Sequence, residues 1–128
     1  MMTVDQLVAH LVGDFVLQSD WMATEKTKRS LAALAHVTTY SIPFLFLRPS
    51  PAAVAFIAGT HFAIDRWQLA RYVCWAKNWL SPNGNKPWSE CRGTGYGPDK
   101  PPFMAVWLMI IADNTMHVIC NGFALAYL

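Results

Sequence analysis

Cysteine is scarce in this chain and poorly spaced for its usual structural uses. The three residues Cys74, Cys91 and Cys120 are odd in number, far apart and without a Cys-x-x-Cys pair. That excludes a disulfide framework and a cysteine zinc finger, and it fits reduced thiols. Charge is also low: 14% of residues are Asp, Glu, Lys or Arg, and the net charge is +2. A nucleic-acid partner therefore has no broad electrostatic footprint to use. The opening MMTVDQLVAH has no basic stretch and no small-residue cleavage site, so no cleavable signal peptide is expected. The run Gly93-x-Gly95-x-Gly97 lacks the Lys-Ser/Thr of a phosphate-binding loop and reads as a flexible connection. No Ser or Cys sits beside a His in a nucleophile elbow.

Apolar residues are abundant. The 128 residues suffice for one domain, 54% are hydrophobic, mean hydropathy is +0.24, and six Trp and seven Phe add apolar surface. The pattern predicts an all-α fold, specifically a four-helix transmembrane bundle in a single membrane domain over 1–128. Its helices are expected at about 3–19, 30–47, 51–78 and 103–128. Arg48-Pro49-Ser50-Pro51 breaks the second from the third, with Pro51 suited to a first helical turn. The Pro- and Gly-dense stretch at about 80–102 is predicted to be a loop without regular structure. The second and fourth segments approach the ~20 residues that a bilayer span needs; the first is short and carries Asp5, Gln6, His10 and Asp14.

Positive charge suggests an orientation. Lys26, Lys28 and Arg29 lie in the first connection, Arg48 alone in the second, and Arg66, Arg71, Lys77, Lys86, Arg92 and Lys100 around the third. No Lys or Arg precedes Lys26 or follows Lys100. The positive-inside rule then puts the first and third connections, including the long loop, in the cytoplasm. Both termini are expected in the periplasm, the membrane being a bacterial (or infected host's) inner membrane with lipids as partners. Trp21, Trp75, Trp79 and Trp107 suit interfacial belts or core packing.

The four histidines all fall in apolar segments, and three have a carboxylate four residues away: His10 and Asp14, His61 and Asp65, Asp113 and His117. Residues i and i+4 stack one turn apart on a helix, so each pair is an N/O chelate aimed one way. His36 stands alone in AALAHVTTYSI. An aspartate at mid-span costs about 2.5–3.5 kcal/mol on insertion scales, so these groups need an interior partner. A metal ion is one; interhelical hydrogen bonding is the alternative. The expected metal set is His10, Asp14, His36, His61, Asp65, Asp113 and His117. Asp5 reads as a first-turn charge favoured by the helix dipole. Gln18 and Asn114 are placed to support the ligands or to make structural hydrogen bonds.

The series His10-Leu-Val-Gly-Asp14-Phe-Val-Leu-Gln18-Ser-Asp-Trp21, then Lys26, Ala35-His36, His61-x-x-x-Asp65 and Asp113-Asn114-x-x-His117 resembles the family called domain of unknown function 3307. The likeness spans nearly the whole chain in order. It implies a small bacterial or phage polytopic membrane protein and no settled activity. Two departures are Asn114, where the family usually has Gln, and an unusually long third connection. A more distant likeness, in residue pattern only, is to membrane-bound metal-dependent hydrolases.

A donor set of N and O without thiolate accepts zinc first, and also manganese, iron or nickel. Seven donors exceed the three plus water of a catalytic zinc and suit one ion with supporting carboxylates, or two ions about 3.5–4 Å apart. Two functions follow. One is a metal-dependent hydrolase acting on a phosphoester or lipid-like substrate, with Asp14, Asp65 and Asp113 as candidate catalytic carboxylates. The other is a non-enzymatic, homo-oligomeric membrane factor (a phage accessory, pore or docking protein) whose cluster is structural.

Overall fold

Thr3 opens the first helix by accepting the Gln6 N–H on its hydroxyl at 3.2 Å, and α1 runs over Val4–Leu11. The chain then widens: Val12–Val16 form a π turn in which the Leu17 N–H reaches back five residues to the Val12 carbonyl at 3.0 Å. Ser19 caps a new helix, α2 (Asp20–Glu25), by accepting from the Met22 N–H. The expected continuous helix over 3–19 is thus an α–π composite, because one extra residue is accommodated per turn and Ser19 starts afresh. The computed structural model describes residues 3–82, 84 and 86–128, and among these every regular element is helical.

α3 spans Ser30–Leu45 and ends ahead of Arg48, whose φ of 53° precedes Pro49. α4 spans Pro51–Arg66; Ser50 caps it by accepting from the Ala53 N–H at 3.0 Å, and Pro51 occupies the first turn as expected. The predicted helix over 51–78 is two. Gln68 adopts the left-handed conformation at φ 49°, which stops α4 after Trp67 and starts α5 (Leu69–Lys77), followed by a 3₁₀ turn at Asn78–Leu80. The predicted loop holds a short helix, α6 (Trp88–Cys91), before α7 (Pro102–Tyr127).

Length decides the membrane question element by element. α7, with 26 residues, is about 39 Å long, whereas the 16 residues of α3 or α4 give about 24 Å against a hydrocarbon core of about 30 Å. Among the described residues α7 alone is long and apolar enough to cross a bilayer. The expected bundle of four spans is therefore not supported.

The chain forms two compact units, one up to Trp67 together with His117–Leu128, the other Gln68–Met116. In the first, the buried positions advance in steps of three or four. α4 contributes Ala53, Ile57, His61 and Asp65; α3 contributes Phe44, Tyr40 and His36; the end of α7 contributes Ala124, Asn121 and His117. α1 and the π turn contribute Gln6, His10 and Asp14. The α3, α4 and α7 series each have an apolar end, where Tyr40, Phe44, Ala53, Ile57 and Ala124 pack together with Ala9. The Ser50 hydroxyl ties that end to the chain terminus by donating to the Leu128 carbonyl at 2.8 Å. The other end is polar. Outside, the arrangement is reversed: Val4, Val8, Phe15, Val16, Leu31, Leu34, Leu45 and Phe46 are exposed.

Gly13 permits this packing. A Cβ there would lie 2.6 Å from Tyr40 Cδ2 and 2.9 Å from the Tyr40 carbonyl oxygen, so the π turn can approach α3 only with glycine. Gly13→Ala is expected to cost about 1–3 kcal/mol through overpacking. Thermal unfolding of the purified variant measures it, and an unchanged transition would mean that α3 yields without cost.

The second unit is aromatic. Tyr72 stacks on Trp88 at 4.7 Å, Trp75 meets Trp79 and Trp88 edge-on, and the Arg71 guanidinium lies 5.0 Å from the Tyr72 ring centroid. Cys74 and Cys91 are buried free thiols. Burial pushes the Cys74 thiol above its ordinary pKa, which keeps it protonated and unreactive. Gly95 is not merely flexible: its φ is +87°, and a Cβ would collide with the Arg71 carbonyl oxygen and the Cys74 side chain.

Candidate metal centre

Spacing of four along several helices delivers the polar groups to one place. His61 and Asp65 lie one turn apart on α4, His36 projects from α3, and the π turn supplies Asp14. Four atoms, one from each, lie within 4.8 Å of one another, and all four residues are buried. His36 Nε2 is 2.9 Å from His61 Nε2, 3.1 Å from Asp14 Oδ1 and 3.2 Å from Asp65 Oδ2. His61 Nε2 is 3.4 Å from Asp14 Oδ1 and 3.1 Å from Asp65 Oδ2.

These distances resemble the edges of a coordination tetrahedron. Zinc with N and O ligands at about 2.0–2.2 Å requires donor separations of about 3.3–3.5 Å. Of the five separations above, from 2.9 to 3.4 Å, one reaches that range and the other four are shorter, so the donors must part slightly to admit an ion. Two neutral imidazoles facing each other through Nε2 have only two good arrangements. One donates its N–H to the other's lone pair, or both lone pairs face a cation with the protons on Nδ1. Asp65 Oδ2 gathers positive charge already: the Lys26 ammonium lies 2.8 Å from it, beside both Nε2 atoms. The buried His/Asp group can therefore hold a metal ion. The Nδ1 atoms of His36 and His61 have no hydrogen-bond partner, so the outer acceptor that usually orients a ligating imidazole is missing.

Ring packing takes over that orienting role for His61. Its imidazole is stacked between Tyr40 at 3.6 Å and His117 at 3.9 Å, with interplanar angles of 27° and 23°. The other predicted ligands surround the four. His117 Nε2 meets the second oxygen of Asp65 at 3.1 Å, so this carboxylate joins the four-atom set to α7. His10 Nδ1 pairs with the Tyr40 hydroxyl at 2.8 Å and stands 3.7 Å from Asp14 Oδ2, placing it at the margin. Asp113 lies one turn before His117 on α7 and is half-buried. Asn114 bonds back to the Ile110 carbonyl of its own helix at 2.8 Å.

Several participants went unassigned in the sequence reading. Lys26 appeared there as a charge of the first connection and as part of a family motif, yet its ammonium lies 2.8 Å from Asp65 Oδ2 and 3.5 Å from His36 Nε2. It is a cation facing the Asp65 carboxylate. Tyr40 joins His10 to Asn121, whose amide donates to the Tyr40 hydroxyl at 2.7 Å. Gln6 donates to the Val118 carbonyl at 2.8 Å and ties α1 to α7. The signal was available: Gln6, Tyr40 and Asn121 each lie four residues from a histidine, on the ladders that the pairs define.

The sequence matches the family described as "Protein of unknown function (DUF3307)" over residues 2–121, and the chain belongs to that family. No curated protein and no solved structure matches it.

Proposed function

We propose that this chain is a small integral membrane protein whose polar interior is a transition-metal centre. The metal is zinc, one ion per chain, held by Asp14, His36, His61 and Asp65. The convergence of these four donors at separations near those of a tetrahedron supports the reading. The membrane part rests on the inverted surface. Apolar side chains cover α1 and α3 outside while Gln6, His10, Asn121 and the cluster lie inside, and only 11% of the apolar stretch of α7 is buried. α7 crosses an inner membrane with lipid as its partner, its N-terminal end, next to the basic third connection, facing the cytoplasm and its C-terminal end the periplasm.

Four protein donors fill a tetrahedral ion's positions, as in structural sites. The centre then fastens the π turn, α3 and α4, and the protein is a non-enzymatic membrane factor that works through its assembly. Lys26 favours a second reading, a hydrolase for a phosphoester or lipid-like substrate. If one carboxylate yields its position, a bound metal supplies a hydroxide near neutral pH. The Lys26 ammonium then meets an anionic substrate oxygen, and the freed carboxylate accepts a proton.

Both parts are tested on one preparation. The protein is expected to resist high salt and alkaline carbonate, to leave the membrane only in detergent, and to carry about one equivalent of zinc after purification without chelator. Monodisperse protein from the soluble fraction overturns the membrane reading; metal below roughly a tenth of an equivalent overturns the centre. Phosphoester turnover lost in Lys26→Ala at unchanged metal content selects the hydrolase.

A further inference from the structure

α5 and the turn after it carry an apolar face that nothing in their own unit covers. Ala70 and Cys74 are buried, whereas Tyr72, Val73, Ala76, Trp79 and Leu80 are exposed. The exposed positions follow the i, i+1, i+4, i+7, i+8 spacing of one helical stripe. They are not marginal cases: Trp79 is 65% exposed and Leu80 90%.

Cations border the stripe. From Gln68 to Lys100 the chain has five Lys or Arg against two carboxylates, Glu90 and Asp99. Arg71 lies over the Tyr72 and Trp88 rings, and the Lys77 and Lys100 ammoniums lie 5.2 and 5.0 Å from the Tyr96 ring centroid. Lys86 faces Asp99 at 3.6 Å, which leaves Arg71, Lys77, Arg92 and Lys100 as the positive border. Three of the six tryptophans, Trp75, Trp79 and Trp88, are in this same stretch.

We infer that α5 with its following turn is a membrane-surface element that docks on the headgroup layer of an anionic bilayer. The chemistry fits on both sides of the stripe. A short amphipathic helix lies in the interface with its apolar face about 5–10 Å into the headgroup–acyl boundary, and Trp and Tyr favour that depth. Bordering Lys and Arg meet lipid phosphates, and charge complementarity selects anionic lipid. Tyr72, Val73, Trp79 and Leu80 enter the boundary; Arg71, Lys77, Arg92 and Lys100 stay at phosphate level. The inference rests on α7 as the membrane anchor, which brings the element to a bilayer.

The test uses the full chain in phosphatidylcholine vesicles with or without phosphatidylglycerol. A nitroxide at Leu80→Cys reports its depth by collision with oxygen and with a water-soluble nickel chelate. The parent protein treated identically corrects for Cys74, Cys91 and Cys120. With phosphatidylglycerol the label is expected to be oxygen-accessible and shielded from nickel. Lys77→Gln and Lys100→Gln should each lower the docked-to-free ratio about fivefold. A label equally open to nickel in both vesicles overturns the inference, as does shielding indifferent to lipid charge or dependent on an added soluble protein. Alkaline-carbonate extraction of the same vesicles reads the α7 anchor separately. Resistance with an exposed label sinks only the docking, and extraction with a shielded label sinks only the anchor.

Discussion

Asp65→Ala is expected to abolish metal binding and to destabilise the protein by about 3–5 kcal/mol, the cost of breaking a buried ion pair by removing one partner. Asp65 has four polar partners in the cluster: one oxygen faces His36, His61 and Lys26, the other His117. Its loss leaves the Lys26 ammonium without the carboxylate at 2.8 Å and releases His117 from its anchor. His10→Ala is the contrast. His10 reaches the set through Tyr40 and the far oxygen of Asp14, so it should behave as an outer partner and cost roughly 10–100-fold in metal affinity or less. Elemental analysis and thermal unfolding of both variants in detergent decide it. Equal metal loss in the two would place His10 among the ligands and refute the four-donor set.

Chelation should act on the wild-type chain in the same direction. If free metal normally exceeds its dissociation constant by about 100–1,000-fold, binding contributes about 2.7–4.1 kcal/mol, all lost when the ion is removed. At roughly 4 °C per kcal/mol for a chain of this size, the melting temperature falls by about 10–15 °C. The cause is local: two buried carboxylates are left facing two imidazoles, with Lys26 the neighbouring cation. Unchanged melting after verified removal would show that the His/Asp pairs act only as interhelical hydrogen bonds.

How far the sequence carried these conclusions depends on the kind of signal. His61–Asp65 and His10–Asp14 were visible because the four-residue spacing is a property of the chain itself. The helix starts at Ser30 and Pro51 were visible for a similar reason, since caps and Pro positions are local. The break at Gln68 was not, because a left-handed Gln has no marker of the kind that Gly supplies. The π turn was hidden too: a period of 3.6 continues through Val12–Val16 on paper, and only the five-residue hydrogen bond reveals the change. His36 looked isolated because its partners, Asp14, His61 and Asp65, come from other elements. Tyr40 reads as an ordinary core aromatic until its hydroxyl is found between His10 and Asn121.

The length of α7 bears on how such a chain is made. During synthesis, α1, α3 and α4 emerge first, each too short to be held by a bilayer alone and two of them carrying an aspartate. Among the described residues the helix able to hold its place without partners follows them. His117 and Asn121 travel with it, and they complete the surroundings of Tyr40 and Asp65. Biogenesis on the membrane reading is therefore back-to-front. The earlier segments await α7, whose His117 and Asn121 close the cluster around them.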